Sequence, residues 1–288
     1  MKLTNVLAYP EAFVLAASGN ANYRPNPSRI GATSLIDSPM KRRLFIQKYD
    51  DIVVDVDDYF NRLLGTGFHD LLERNSPKQA KAERKWEVQM GDLTLVGKAD
   101  TVEGSEISDY KLMSVWSYVF DKGAAWEKQL NLYRWMAKKA ENLDIDKLTI
   151  HAFYHDWSFF EAQRNPDYPR NRYAAYDVRI ADLDKVEAYI NKRLDLHRDP
   201  NYQCTDEDKW IKQQTFAVMK TGGNRSLKGS SQNPITFAEA EEYIHKKGLT
   251  KDYQSGKIQV VERKCEPKCC LQYCGVRSVC PFAKGLRV

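Results

Sequence analysis

Apolar positions are irregular over the first sixty residues, with one local signal. Pro39 suits a helix start, and Leu44, Phe45 and Tyr49 supply a stripe to bury. From Asp57 to Glu73 the positions Tyr59, Phe60, Leu63, Leu64, Phe68, Leu71 and Leu72 follow a helical period, with Gly65 and Gly67 in the middle suggesting a close backbone approach. The pattern then turns to alternation. Lys85–Met90 and Leu93–Lys98 flank Gly91-Asp92 and predict a hairpin, and Glu106–Lys111 predicts a third strand after a turn at Glu103-Gly104-Ser105. A helix is predicted from Ala124 to Ala140, a strand at Lys147–Tyr154, a loop with a short helix over 155–172, a strand at Tyr173–Ile180, and a helix capped by Asp182 that runs to about Arg198. Lys220–Ser231 is rich in Gly, Ser and Lys and predicts a loop. Thr236 with Glu239 forms a capping-box pattern for a helix to His245, and Ile258–Arg263 predicts a strand. Strands around a central helix, with helices before and after, predict an α/β domain built on a mixed sheet.

Composition changes this picture at one end. With 288 residues, 42% hydrophobic and 29% charged, the chain reads as ordinary globular protein. No apolar run reaches the ~18–20 residues of a membrane span, and the apolar stretch near the N-terminus is broken by Tyr9, Pro10 and Glu11, which speaks against a signal peptide. A cytoplasmic protein without membrane partners is expected, from a prokaryote or a phage-infected cell. Five of the six cysteines (Cys265, Cys269, Cys270, Cys274, Cys280) fall in the last 24 residues, and the sixth is Cys204. From residue 204 onward 15 Lys and Arg stand against 9 Asp and Glu, a net of +6, whereas the rest has 29 against 30. A near-neutral body over 1–200 followed by a basic, cysteine-rich region over 201–288 is the expected organisation. Thiols crowded at one end of such a chain point to metal rather than to disulfides.

The chemistry-bearing segment is Gly97-Lys98-Ala99-Asp100, followed after eight intervening residues by Asp109-Tyr110-Lys111. Paired in one hairpin, Asp100 lies across from Asp109, and Asp109 and Lys111 share a face. Two carboxylates and an ammonium suit Mg²⁺ or Mn²⁺ chemistry on a phosphodiester: the carboxylates hold a hard cation and the lysine orients or deprotonates a water. Upstream, Gly65-Thr66-Gly67-Phe68-His69 offers an imidazole on a helix. Downstream, Gln129 and Tyr133 share one helical face, and Tyr133 also fits the core stripe of that helix. Surface placement is expected for Glu73 and Glu87, each near enough in sequence to support the site.

The order G-x-x-x-H, G-K-A-D, D-Y-K, Q-x-x-x-Y resembles the PD-(D/E)XK nuclease superfamily, in its RecB-like exonuclease branch, over about residues 30–200. The resemblance implies a restriction-endonuclease-like core, a central mixed sheet flanked by helices. It also implies His69, Asp100 and Asp109 as ligands of Mg²⁺ or Mn²⁺, with the Tyr110 carbonyl as a further ligand, Lys111 as the catalytic lysine, and Gln129 and Tyr133 as groups that contact or orient DNA. Ala99 stands where the name motif has proline, as is common in that branch.

Cys270, Cys274 and Cys280 have spacings that suit zinc or an iron–sulfur cluster. Relatives in the branch hold a [4Fe–4S] cluster with three C-terminal cysteines and one near the N-terminus before a proline, where this chain has Ser38-Pro39. The implied set here is Cys204, Cys270, Cys274 and Cys280, with Cys265 and Cys269 as alternates and Zn²⁺ as the other group. The basic residues Arg225, Lys228, Lys246, Lys247, Arg263, Lys264 and Lys268, with Lys41-Arg42-Arg43, would follow phosphates, and Trp210, Phe216, Tyr243 and Tyr273 would stack bases or pack in a core. The expected function is a metal-dependent DNA exonuclease acting on ends or single strands in recombination, replication or repair, alone or with a helicase or recombinase. The alternatives are a non-catalytic nucleic-acid-binding protein of the same fold and a zinc-pinned structural or adaptor protein.

Overall fold

The computed structural model describes residues 1–21, 24–76, 81–120, 123–211, 215–229, 235–263 and 266–286. The chain divides into two units, Met1–Gln203 with Gly275–Arg287 and Cys204–Cys274 with Val288. No helix among the described residues is long and apolar enough to cross a membrane.

The first unit runs β1 (Lys2–Thr4), α1 (Glu11–Ala21), β2 (Arg29–Gly31), α2 (Ala32–Ile36), α3 (Pro39–Gln47), β3 (Val53–Asp55), α4 (Phe60–Arg74), β4 (Lys81–Met90), β5 (Leu93–Glu103), β6 (Glu106–Met113), α5 (Val115–Phe120), α6 (Ala124–Glu141), β7 (Lys147–Tyr154), α7 (Phe159–Arg164), β8 (Tyr173–Asp177) and α8 (Leu183–Arg198). Six strands form a mixed sheet in the order β2-β5-β6-β7-β8, with β4 also on β5. The predicted hairpin is present: β4 and β5 run antiparallel from Met90↔Leu93, and Gly91 turns the chain at φ +69°. β6 and β7 are parallel, β7 and β8 antiparallel. The predicted fold class, a central mixed sheet flanked by helices, is the one observed.

One face of the sheet carries the core. Leu130, Tyr133, Met136 and Ala137 recur at helical spacing on α6, and Val186, Ile190 and Leu194 do so on α8. They pack with Leu35, Trp86, Leu95, Ala99, Ile107, Leu148 and Ile150. Each such large side chain contributes about 1.5–3 kcal/mol by leaving water. The α2 helix is held at its C-terminal end from α8: the Arg193 guanidinium donates to the carbonyls of Leu35, Ile36 and Asp37, and His197 bonds the Leu35 carbonyl at 3.2 Å. Across the sheet, α4 sets Phe68 edge-on to Phe153, ring centres 5.0 Å apart. Gly65 and Gly67 of α4 face open space, so the close approach expected there is absent. The last segment of this unit contains α11 (Pro281–Lys284); before it, Ser278 Oγ accepts from the Val53 amide and Arg277 pairs with Asp58.

The second unit has β9 (Thr215–Lys220), β10 (Ser226–Lys228), α9 (Phe237–Lys246), α10 (Thr250–Gln254) and β11 (Ile258–Arg263). Its antiparallel sheet, β10-β9-β11, buries Val218 and Ile258 with Ala240 and Ile244 of α9. The Thr236–Glu239 capping box forms as predicted. The stretch predicted as a loop from Lys220 is partly a hairpin, turned at Gly222 with φ +73°.

Candidate active site

The site is built at a fork in the sheet. One edge of β5 is lined by β4 throughout. The other edge pairs first with β2, over Thr94–Val96, and then with β6, over Thr101–Glu103. Between these pairings lie Gly97-Lys98-Ala99-Asp100, across which the alternation of buried positions along β5 (Leu93, Leu95, Gly97, Ala99) holds, to break just beyond, where both Thr101 and Val102 are buried. With the backbone ladder parted, the Asp100 carboxylate takes over as acceptor: its Oδ2 receives the Tyr110 amide at 2.7 Å. Gly97 is required by the α6 side of this fork. A Cβ there would lie 2.7 Å from Met136 Sδ and 3.0 Å from the Tyr133 ring.

The structure brings together every residue predicted for the hydrolytic centre. His69 Nδ1 stands 3.3 Å from Asp100 Oδ2. Asp109, 2% exposed, receives Gln129 Nε2 on Oδ1 at 3.1 Å, and Gln129 also donates to Tyr133 Oη at 3.0 Å. Lys111 Nζ lies 2.6 Å from Asp109 Oδ2 and donates to Gln129 Oε1 at 3.4 Å. Tyr110 contributes its amide N–H to this network. Glu87 is tied to Arg29 and Lys85 at the surface, and Glu73 is exposed.

The two carboxylates are pushed apart electrostatically. Burial raises the Asp109 carboxyl above the usual range, against the pull of Lys111 and with the repulsion of Asp100. Burial acts the same way on Asp100, but the bonds from His69 and the Tyr110 amide outweigh it and hold that carboxyl below the usual range. The Asp100 hydrogen bond, against burial, raises His69. Burial also raises the Tyr133 hydroxyl, keeping it protonated.

The donors fit a hard divalent cation. Asp109 Oδ2 is buried and faces the Lys111 ammonium at 2.6 Å, outside strict hydrogen-bond geometry, so its charge is met from within the site. Asp100 and His69, 3.3 Å apart, add the further oxygen and nitrogen donors that such a cation takes. As they stand, no three His, Cys, Asp or Glu side chains among the described residues are gathered closely enough to cage an ion. The same holds for the cysteines. Cys269, Cys270, Cys274 and Cys280 are buried and Cys204 half-buried, with no disulfide among the described residues; Cys265 and Lys264 lie outside them. Ser38, at the position of the relatives' distant cysteine, is buried at the start of α3.

Other expected contacts resolve differently. Lys41 pairs with Asp37, Arg42 donates to the carbonyls of Pro27 and Arg29, and Arg43 donates to those of Asp199 and Tyr202, so this basic run anchors backbone. Phe216 and Tyr243 pack on the core of the second unit, while Trp210 and Tyr273 are exposed with ring centres 5.1 Å apart. A cavity of about 250 Å³ lined by Arg29, Ser34, Asp37, Ser38, Lys41 and Gly275, among others, borders none of the hydrolytic residues. Sequence reasoning passed over one group beside the site, the rings of His151, Phe153 and Tyr173; the alternation of His151 and Phe153 on β7, with Tyr173 at the start of β8, was the available signal.

No protein-family profile and no curated protein sequence matches this chain. Among solved structures it is similar to SSO0001, at 18% identity and TM-score 0.43 over 69% of this chain and 88% of that one. It is similar to a phage-related exonuclease from Haemophilus somnus 129PT, at 13% and 0.35 over 62% and 95%. It is similar to the alkaline exonuclease LHK-Exo from Laribacter hongkongensis, at 9% and 0.38 over 65% and 92%. At these levels the likenesses carry no weight for activity, which has to be read from the side chains of the fork.

Proposed function

We propose that this protein is a metal-dependent DNA nuclease of the RecB-like PD-(D/E)XK kind, an exonuclease that hydrolyses phosphodiester bonds at ends or in single strands. The observation that carries the reading is the buried Asp109 carboxylate, held by Gln129 and Lys111 in a fork that also contains Asp100 and His69. A solvated pair of surface charges needs no such arrangement. His69, Asp100 and Asp109 would hold Mg²⁺ or Mn²⁺, which supplies charge neutralisation on the phosphate and a more acidic water when bound. Lys111, its side chain 26% exposed, is the cation of the centre that faces outward enough to meet an incoming phosphate and to orient or deprotonate the attacking water. Gln129 fixes the orientation of Asp109 through one oxygen, and Tyr133, protonated and buried, keeps Gln129 turned that way. The thiols of Cys270, Cys274 and Cys280, on the strength of their sequence spacing, and that of Cys204, on the family resemblance, are proposed as ligands of iron–sulfur or zinc.

Incubating the protein with end-labelled single- and double-stranded DNA, with and without Mg²⁺ or Mn²⁺, tests the reading. Metal-dependent degradation is expected, and Lys111→Ala or Asp109→Asn should each lower it by roughly 10²-fold or more while the fold persists. Full activity in both variants would sink the assignment.

A further inference from the structure

The sheet face opposite the α6–α8 core is divided into two halves. At one end of β6 and β7 the polar groups close on themselves: Glu106 accepts from Thr149 Oγ1 at 2.5 Å, Lys147 Nζ at 3.2 Å and Ser108 Oγ at 3.3 Å. At the other end the side chains are rings. Tyr110 lies beside its register partner His151, ring centres 5.4 Å apart, and His151 stacks on Tyr173 at 6.0 Å with the planes only 13° apart. Phe153 fills the second row, 5.1 Å from Tyr173, and Phe68 closes it from α4. Tyr173 Oη and His151 Nδ1 are hydrogen-bonded at 2.8 Å, which fixes the orientation of the last ring.

This column ends on an exposed ring. Tyr173 is on β8, at the end of the strand order, and is 44% exposed. His151 and Tyr173 are the near-parallel pair of the column, and an exposed ring fixed in that orientation is a seat for one more flat ring. The column's other end adjoins the site from the opposite face: the Tyr110 ring projects away from the Asp109 and Lys111 side chains, which face α6, while its amide bonds Asp100, and Phe68 precedes His69, which meets Asp100. The exposed Arg172, just before Tyr173, adds a positive charge near the strand end.

We infer that the Tyr110–His151–Tyr173 stripe is a base-stacking track for unpaired DNA, with Tyr173 as the ring on which an incoming nucleobase seats, so that the protein selects single strands over duplex. The inference rests on the nuclease reading for its substrate and deepens it. In a duplex the interior bases offer only their edges in the grooves, whereas every unpaired base offers a face, and such stacking is worth about 1–3 kcal/mol per base whatever the sequence. Tyr173 is therefore a specificity-determining residue that touches substrate away from the bond being cut.

The test is binding without turnover. In EDTA, fluorescence anisotropy is measured with a labelled single-stranded oligonucleotide and with a blunt duplex of the same length, and a 2-aminopurine base in the single strand reports stacking by its quenching. Tyr173→Leu keeps apolar bulk and loses the ring; Tyr173→Phe keeps the ring and loses the bond to His151. Single-strand affinity is expected to fall roughly 5- to 100-fold in the Leu variant, with the quenching lost and duplex affinity unchanged, and to be largely retained in the Phe variant. Equal single-strand affinity in wild type and Tyr173→Leu overturns the inference, as does an equal loss for both DNA forms. Cleavage by the wild type in Mg²⁺ is scored separately: ring-dependent binding without any cleavage sinks the nuclease reading and leaves the track standing, whereas cleavage with ring-independent binding does the reverse.

Discussion

Asp109 depends on a relay of contacts that begins at a residue with no side chain. Gly97 lets α6 approach β5, the approach seats Tyr133, Tyr133 holds Gln129, and Gln129 orients the carboxylate. In Gly97→Ala the Met136 thioether can swing away, but the Tyr133 ring is buried and tied to Gln129. Overpacking of this kind costs about 1–3 kcal/mol. The expected outcome is a lower melting temperature together with a loss of cleavage larger than that destabilisation explains, measured on the same preparation under conditions where the variant is folded. A variant that melts lower but cleaves at the wild-type rate would show that the relay does not reach Asp109. The members of the relay were visible in the sequence as G-K-A-D and Q-x-x-x-Y, but their dependence on one another was not, because it arises from a helix crossing a strand thirty residues away.

The elements with sharp local chemistry were legible: the Gly91 turn, the Asp182 and Thr236 caps, and the stripes of α6 and α8. Short and non-local ones were not. Three residues of β2 carry no periodicity, and the division of one β5 edge between β2 and β6 is a matter of register that only long-range pairing decides. The α2–α8 junction belongs to the same class, and it carries a pH signature. Burial pushes the His197 imidazole down to about 4; Arg193 and Arg42 push the same way, against the Leu35 carbonyl and Asp37. Its Nδ1 is buried without a hydrogen bond, so the neutral ring donates from Nε2 to Leu35. The unfolded chain takes up this proton at an ordinary histidine pKa of about 6.5, before the folded one does. Stability from this group is thus fully present above about pH 6.5 and is lost as pH falls toward 4, by about 2 kcal/mol after allowing for partial solvent screening. His197→Gln keeps a donor for Leu35 and has no proton to take up. Its melting temperature should fall less than that of the wild type between about pH 7 and pH 4, and parallel curves would refute the account.

At the scale of the whole molecule, the chain is partitioned by sequence only approximately. The first unit's main segment ends at Gln203, and Gly275–Arg287 belong with it, where Val276 is buried and Ser278 and Arg277 bond to the segment around β3 and the start of α4. Composition could show that the tail differs in charge and thiols but not where its last residues go. The proposed thiolate-held group is tested on the intact protein. Anaerobic purification followed by iron, sulfide and zinc analysis should yield iron with sulfide, or else zinc, in fixed proportion to protein, and single cysteine-to-serine changes at Cys204, Cys270, Cys274 and Cys280 should each lower that proportion. Metal-free protein with all thiols intact would rule the group out.

The fork has a consequence in time as well as in space. It exists only where β2, from residues 29–31, and β6, from residues 106–113, meet the same edge of β5, and its carboxylate is oriented from α6 further on. Turns and helices close quickly from neighbouring residues, whereas these pairings must join segments tens of residues apart and so come late. A chain still emerging from the ribosome therefore holds His69, Asp100, Asp109 and Lys111 apart, and the fork that gathers them forms only when the sheet is complete.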